Sequence, residues 1–110
     1  MIHLPLKPLS TNALYNGQRT KSKLHAKYKR DLAMLLPSST EIPNNCELLA
    51  VYEFGVSNRN TDVDNLIKGL QDALQEKYGF NDNRITQIIA TKTIVEKGSE
   101  FIKFDISENE

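Results

Sequence analysis

The strongest constraint on this chain lies between Asn60 and Ile85, in NTDVDNLIKGLQDALQEKYGFNDNRI. Two aspartates one residue apart, Asp62 and Asp64, lead directly into apolar residues at helical spacing: Val63, Leu66, Ile67, Leu70 and Leu74. Lys68 and Asp72 follow Asp64 by four and eight residues, so the three line one polar face. Gly79 ends the helical pattern, and the short turn after it carries a third aspartate, Asp82. Asp62 and Asp64 are therefore expected at a helix N-terminus, with Asp82 beyond its C-terminus. Three carboxylates gather on one edge only if tertiary folding brings that turn back.

Three oxygen donors and one lysine suit a hard divalent cation. Mg²⁺ prefers carboxylates, keeps several waters, and is held by few protein ligands together with substrate phosphates. Its chemistry is displacement at phosphorus, where it polarises a phosphoryl oxygen and helps deprotonate water. A nearby lysine can neutralise charge that builds up in the transition state. A plainer reading fits the same residues. Aspartate near a helix N-terminus is favoured by capping and by the helix dipole. Asn81 and Asp82 are ordinary turn residues, and Asp64, Lys68 and Asp72 form a ladder of helical ion pairs in that reading.

A chain of 110 residues fits one domain, expected to span 1–110, with one modest core. No apolar run approaches about 18 residues, so no transmembrane helix is expected. MIHLPLKPL lacks a basic segment followed by a long apolar run, so no signal peptide is expected either. The single cysteine, Cys46, excludes an internal disulfide and, with His3 and His25, offers no zinc-like spacing. Cys46 is read as a buried strand residue, and a reducing cytoplasm is the expected setting.

Net charge is zero, which argues against a uniformly basic nucleic-acid binder, but the charge is unevenly placed. Residues 1–36 carry seven basic groups (Lys7, Arg19, Lys21, Lys23, Lys27, Lys29, Arg30) and one acid, Asp31, for a net +6. Residues 37–110 carry seven basic and thirteen acidic groups, for a net −6. A basic front half is suited to an anionic partner. A solvated basic helix face gives the same pattern.

In chain order, Ile2, Leu4 and Leu6 suggest an edge strand, with Pro5 and Pro8 suited to an edge. PLSTNALYNGQRTKS reads as a loop. Ser22 is the predicted N-cap of a helix running to about Leu36, with Leu24, Tyr28, Leu32 and Leu35 as its apolar stripe. PSSTEIPNN connects to a strand from Cys46 to Val56, where Leu48, Ala50, Tyr52, Phe54 and Val56 alternate with Glu47, Leu49, Val51 and Glu53. Leu49 and Val51 suggest that the second face is covered too. After the aspartate helix, Ile85 to Val95 reads as a strand rich in β-branched residues. EKGSE reads as a hairpin turn with Gly98 as its positive-φ residue, and Phe101 to Ile106 as the last strand. The order is β-α-β-α-β-β: an α+β fold with two helices packed on a small mixed sheet.

These residues match a known pattern. DVDNLIKGLQDAL, from Asp62 to Leu74, resembles the D-x-D-N-x-x-K-x-x-x-D-x-L motif of the RusA-type endodeoxyribonucleases, Holliday junction resolvases common in phages and prophages. NDNRI, from Asn81, is similar to that family's D-D-S-x-V element, and PLSTNALY to its N-terminal P-x-S-x-N segment. Lys92 and Gly98 fall where the family has a lysine and a hairpin glycine. The resemblance implies a homodimeric endonuclease that acts on branched DNA with Mg²⁺, or Mn²⁺ in its place. It assigns the metal to Asp62, Asp64 and Asp82, a catalytic role to Lys68, and supporting roles to Asn65 and Asp72. Two positions depart from the pattern. Thr61 stands where arginine is frequent, and Asn81 stands where the first of two paired aspartates lies.

The resulting expectation is a Mg²⁺-dependent DNA endonuclease, active on Holliday junctions or other branched DNA in recombination and repair. Arg19, Lys21, Lys23, Lys27, Arg30 and Lys92 are the expected DNA contacts, with the α-helical ones gripping backbone phosphates. Two rivals remain: a non-catalytic binder of branched DNA whose aspartates are caps, and a protein-interaction module. The third carboxylate discriminates, because capping gives Asp82 no reason to approach Asp62 and Asp64.

Overall fold

The computed structural model describes residues 1–10 and 19–110, without the side chains of 19–22. Strand β1 covers Ile2–Leu4, helix α1 Arg19–Leu35 and strand β2 Leu48–Val56. A 3₁₀ turn at Val63–Leu66 runs into helix α2, Ile67–Tyr78. A second 3₁₀ turn, Asp82–Arg84, leads into β3, Ile85–Ile94, and β4 spans Phe101–Glu108. The four strands form one mixed sheet in the order β1-β4-β2-β3. This is the expected α+β architecture.

Alternation decides which face of the sheet carries the helices. Leu48, Ala50, Tyr52 and Phe54 of β2 are fully buried, as are Ile102 and Phe104 of β4. They meet Tyr28 and Leu32 of α1, Leu36 just beyond it, and Leu66, Leu70, Ala73 and Leu74 from the α2 region in one core. Leu49 and Val51 point the other way and are half-buried. No helix of the described residues covers that face, so their partial shielding comes from cross-strand neighbours such as Ile89.

Three details depart from the sequence reading. Helix α1 starts at Arg19, ahead of the predicted cap at Ser22. Arg19 and Lys21 are good helix formers, and a serine inside a helix is tolerated. Residues 11–18 lie outside the described set, and with them most of the predicted loop and of the PLSTNALY match. The apolar stripe of α1 is Tyr28, Leu32 and Leu36, while Leu24 and Leu35 remain 47% and 41% exposed. Finally, β3 and β4 are not a hairpin. Val95 to Glu100 carries the chain over the end of β2, where Val95 N–H donates to Val56 O at 2.8 Å, so β2 separates the two strands. Gly98 does take positive φ, 97°, within this crossing.

The placement of β2 fixes the working geometry. It pairs antiparallel with β4 and parallel with β3. Parallel neighbours need a crossover, and α2 provides it. The helix therefore runs back from the C-terminal end of β2 to the starting end of β3. Gly55 lets the Phe101 ring lie against β2, since a Cβ there would stand 2.4 Å from that ring. No helix of the described residues is long and apolar enough to cross a membrane.

Candidate active site

Asp62 is the N-cap of the first 3₁₀ turn, and Asp64 lies within that turn. The capping explanation does not hold for Asp62: its backbone is extended, at φ −82° and ψ 130°, but its side chain makes no capping hydrogen bond. Its carbonyl, not its carboxylate, accepts from Asn65 N–H at 3.2 Å. Both aspartates are exposed. Among the described residues, neither carboxylate has a hydrogen bond or an ion pair. Two carboxylates this close in sequence, exposed and without a partner among the described residues, offer oxygen donors to a hard cation.

Lys68 begins the exposed row of α2. Its Nζ lies 3.6 Å from Asp72 Oδ2, with both side chains more than half exposed. A pair this exposed contributes at most about 1 kcal/mol, so the ammonium is not locked away from a substrate. Gln71 and Gln75 continue the same face at positions seven and eleven beyond Asp64. Gln71 Oε1 accepts from the Tyr52 hydroxyl at 2.8 Å. Burial, and after it the negative charge of Asp82, pushes the Tyr52 phenol above its ordinary value. The hydroxyl therefore stays protonated and keeps donating to Gln71.

Asp82 sits elsewhere along this face. Its backbone N–H donates to Gln75 Oε1 at 2.8 Å, near the far end of α2. Eleven residues separate Asp64 from Gln75, an axial rise on the order of 16 Å at ~1.5 Å per residue. The turn is anchored further by Arg84, whose guanidinium donates to Pro43 O and, at 3.1 Å and 3.2 Å, to Cys46 O. Cys46 itself is half-buried and just outside β2. The turn thus stays at the C-terminal end of α2 and is not carried back toward Asp62 and Asp64. Among the described residues, no three His, Cys, Asp or Glu side chains group closely enough to hold a metal ion.

A closed metal cage is consequently not what this arrangement offers. Mg²⁺ does not demand one: one or two carboxylates, several waters and substrate phosphates complete its shell. The exposed carboxylates of Asp62 and Asp64, unpaired among the described residues, fit that open kind of site.

The expected DNA contacts divide into three groups. Lys23, Lys27 and Arg30 are exposed on α1, at helical spacing that puts them in one row. Lys27 carries one weak pair, to Asp31 at 3.4 Å. The side chains of Arg19 and Lys21 lie outside the described set. Lys92 differs from the others. Its Nζ donates to Arg59 O and to Thr61 O, both at 2.8 Å, so its ammonium ties down the loop before Asp62. Sequence reading missed this role, and it missed Gln71, Gln75 and Arg84. None carries a local signal, because each acts on backbone or side-chain atoms far away in sequence.

The family model described as Endodeoxyribonuclease RusA matches residues 11–103. No curated protein matches the chain.

Proposed function

The chain belongs to the RusA endodeoxyribonuclease family, and from that premise we propose that it is a Mg²⁺-dependent endonuclease that cuts Holliday junctions or related branched DNA during recombination and repair. One observation carries the reading: Asp62 and Asp64 stand exposed at the entrance to α2, with neither carboxylate engaged among the described residues. We assign Mg²⁺ to these two; Asp82, the third carboxylate of the family pattern, is held at the far end of α2 and is left out of this assignment. When bound, such an ion supplies polarisation of a phosphoryl oxygen and acidification of water. Asp62 and Asp64 provide its hard oxygen donors. Lys68, on the same exposed face, stabilises charge on phosphorus or on the leaving oxygen. Lys23, Lys27 and Arg30, with Arg19 and Lys21, hold backbone phosphates, which supplies affinity and little sequence information.

The active unit in this reading is a homodimer. The surface that supports it is β3, an edge strand of ten residues with Ile88, Ile89 and Ile94 exposed by 40%, 46% and 38%. Edge strands with free backbone groups and apolar side chains favour association. The setting proposed is the cytoplasm.

The experiment is cleavage of a synthetic four-way junction and of linear duplex of the same sequence, with Mg²⁺ and with chelator. Junction cuts that need Mg²⁺ are the expected result. Tight junction binding without any cleavage would make the protein a non-catalytic branched-DNA binder.

A further inference from the structure

Asp62 lies at the end of a short loop that follows β2, and that loop is organised by turns of its own. Asn58 Oδ1 accepts from Asn60 N–H at 2.9 Å, and Asn58 O accepts from Thr61 N–H at 3.2 Å. These bonds are local. They shape the loop without fixing where it stands relative to the sheet. Lys92 does the second job. It lies on β3, opposite buried Phe54 of β2, on the face that carries the helices. From there its ammonium reaches two carbonyls of the loop, Arg59 O and Thr61 O. The Thr61 carbonyl belongs to the peptide unit that joins directly to Asp62.

We propose that Lys92 is a positioning residue: by holding the Arg59 and Thr61 carbonyls it sets where the Asp62 carboxylate stands for the divalent cation. The proposal rests on the reading of Asp62 and Asp64 as metal donors. It gives Lys92 a different task from a phosphate contact. A lysine that binds phosphate keeps its ammonium turned to solvent, whereas here two of its three N–H donors are taken by charge-assisted bonds to backbone oxygens. The same geometry separates positioning from simple charge. A cation beside a metal site repels the metal. If Lys92 acted only through its charge, removing it would tighten metal binding. If it holds the loop, removing it weakens metal binding despite the smaller repulsion.

The test compares wild type with Lys92→Met and Lys92→Arg. Mn²⁺ affinity is measured without DNA, by the loss of the free-ion electron paramagnetic resonance signal. Amide hydrogen exchange is followed across residues 58–65, and thermal unfolding serves as the folding control. Residues that orient a metal's ligands typically matter by about 10–100-fold in affinity. Lys92→Met is expected to lose about tenfold or more in Mn²⁺ affinity and to exchange faster over 58–65. Lys92→Arg, which keeps donors within reach, is expected to recover most of both. Equal or tighter Mn²⁺ binding by Lys92→Met, with unchanged exchange, would overturn the proposal. The exchange arm needs no metal. If wild type bound no Mn²⁺, the metal reading would fail by itself, while faster exchange in Lys92→Met would still support the hold on the loop and unchanged exchange would refute it.

Discussion

An aspartate stands at each end of helix α2, but the two turns that carry them are held differently. At the N-terminal end Asp62 and Asp64 are exposed, and neither carboxylate is engaged among the described residues. At the C-terminal end several polar groups are tied into the fold. Lys77 donates to Ala33 O at 3.2 Å, and the Tyr78 hydroxyl donates to Pro37 O at 2.8 Å. Gly79 closes the helix in the left-handed region at φ 71°, a conformation that costs other residues about 1–2 kcal/mol. Gln75 holds the Asp82 backbone, and Arg84 holds the loop that leads into β2. The C-terminal turn is braced by several side chains, while the loop before Asp62 is held through its carbonyls by Lys92 and Asp62 and Asp64 stay exposed. The contrast separates polar residues that keep the fold from those free to act on a substrate.

The largest effect expected concerns the open end. Asp64→Asn removes a metal donor, and metal stabilisation of a phosphoryl transition state is worth several kcal/mol, so junction cleavage should fall by roughly 10³ or more. Junction binding, followed by gel shift, should be largely retained. Without DNA, Asp64→Asn should weaken Mn²⁺ by about tenfold or more, while Asp82→Asn should stay within about threefold, because Asp82 is held at the other end. Equal losses from the two would break the contrast and place the Asp82 turn back at the metal.

Next in size is Lys68→Ala. The loss of one preorganised charge-stabilising group costs about 10²–10³ in single-turnover rate at saturating Mg²⁺. Its exposed pair with Asp72 predicts almost no change in stability. Wild-type cleavage once Mg²⁺ is raised would make the lysine structural. The braced end should answer in stability instead. Arg84→Ala strips the bonds to Pro43 O and Cys46 O, and hydrogen bonds to charged groups contribute about 1.5–3 kcal/mol. A fall of about 2 kcal/mol in denaturant unfolding is expected, with Mn²⁺ affinity unchanged. The smallest effect per residue belongs to α1. Replacing Lys21, Lys23, Lys27 and Arg30 by alanine should reduce the slope of log affinity against log salt by about 0.9 for each phosphate no longer neutralised. An unchanged slope would remove this face from the DNA surface.

How much of this was legible in the sequence follows from the range of each signal. The alternation in β2 predicted its buried face residue by residue, because side-chain direction in a strand is a local property. Gly79 marked the end of α2 for the same reason. The apparent β3–β4 hairpin misled, since a short turn between two strands does not reveal that β2 lies between them. Leu24 and Leu35 have the right spacing for the core, yet the crossing of α1 over the sheet selects Tyr28, Leu32 and Leu36 instead. At the site, the Asp62–Asp64 pair and Lys68 were visible as a motif. The position of Asp82 was not, because it depends on a Gln75 side chain reaching seven residues along the chain. The task of Lys92 was hidden too, since its partners lie on the far side of α2 in sequence.

The most direct test of the central claim is a crystal of the protein soaked in Mn²⁺, with the anomalous signal used to locate the ion. The account predicts a peak bound by the carboxylates of Asp62 and Asp64, with water completing the shell in the absence of DNA. A soaked crystal with no peak at Asp62 and Asp64, or with its peak at Asp82 alone, would contradict it.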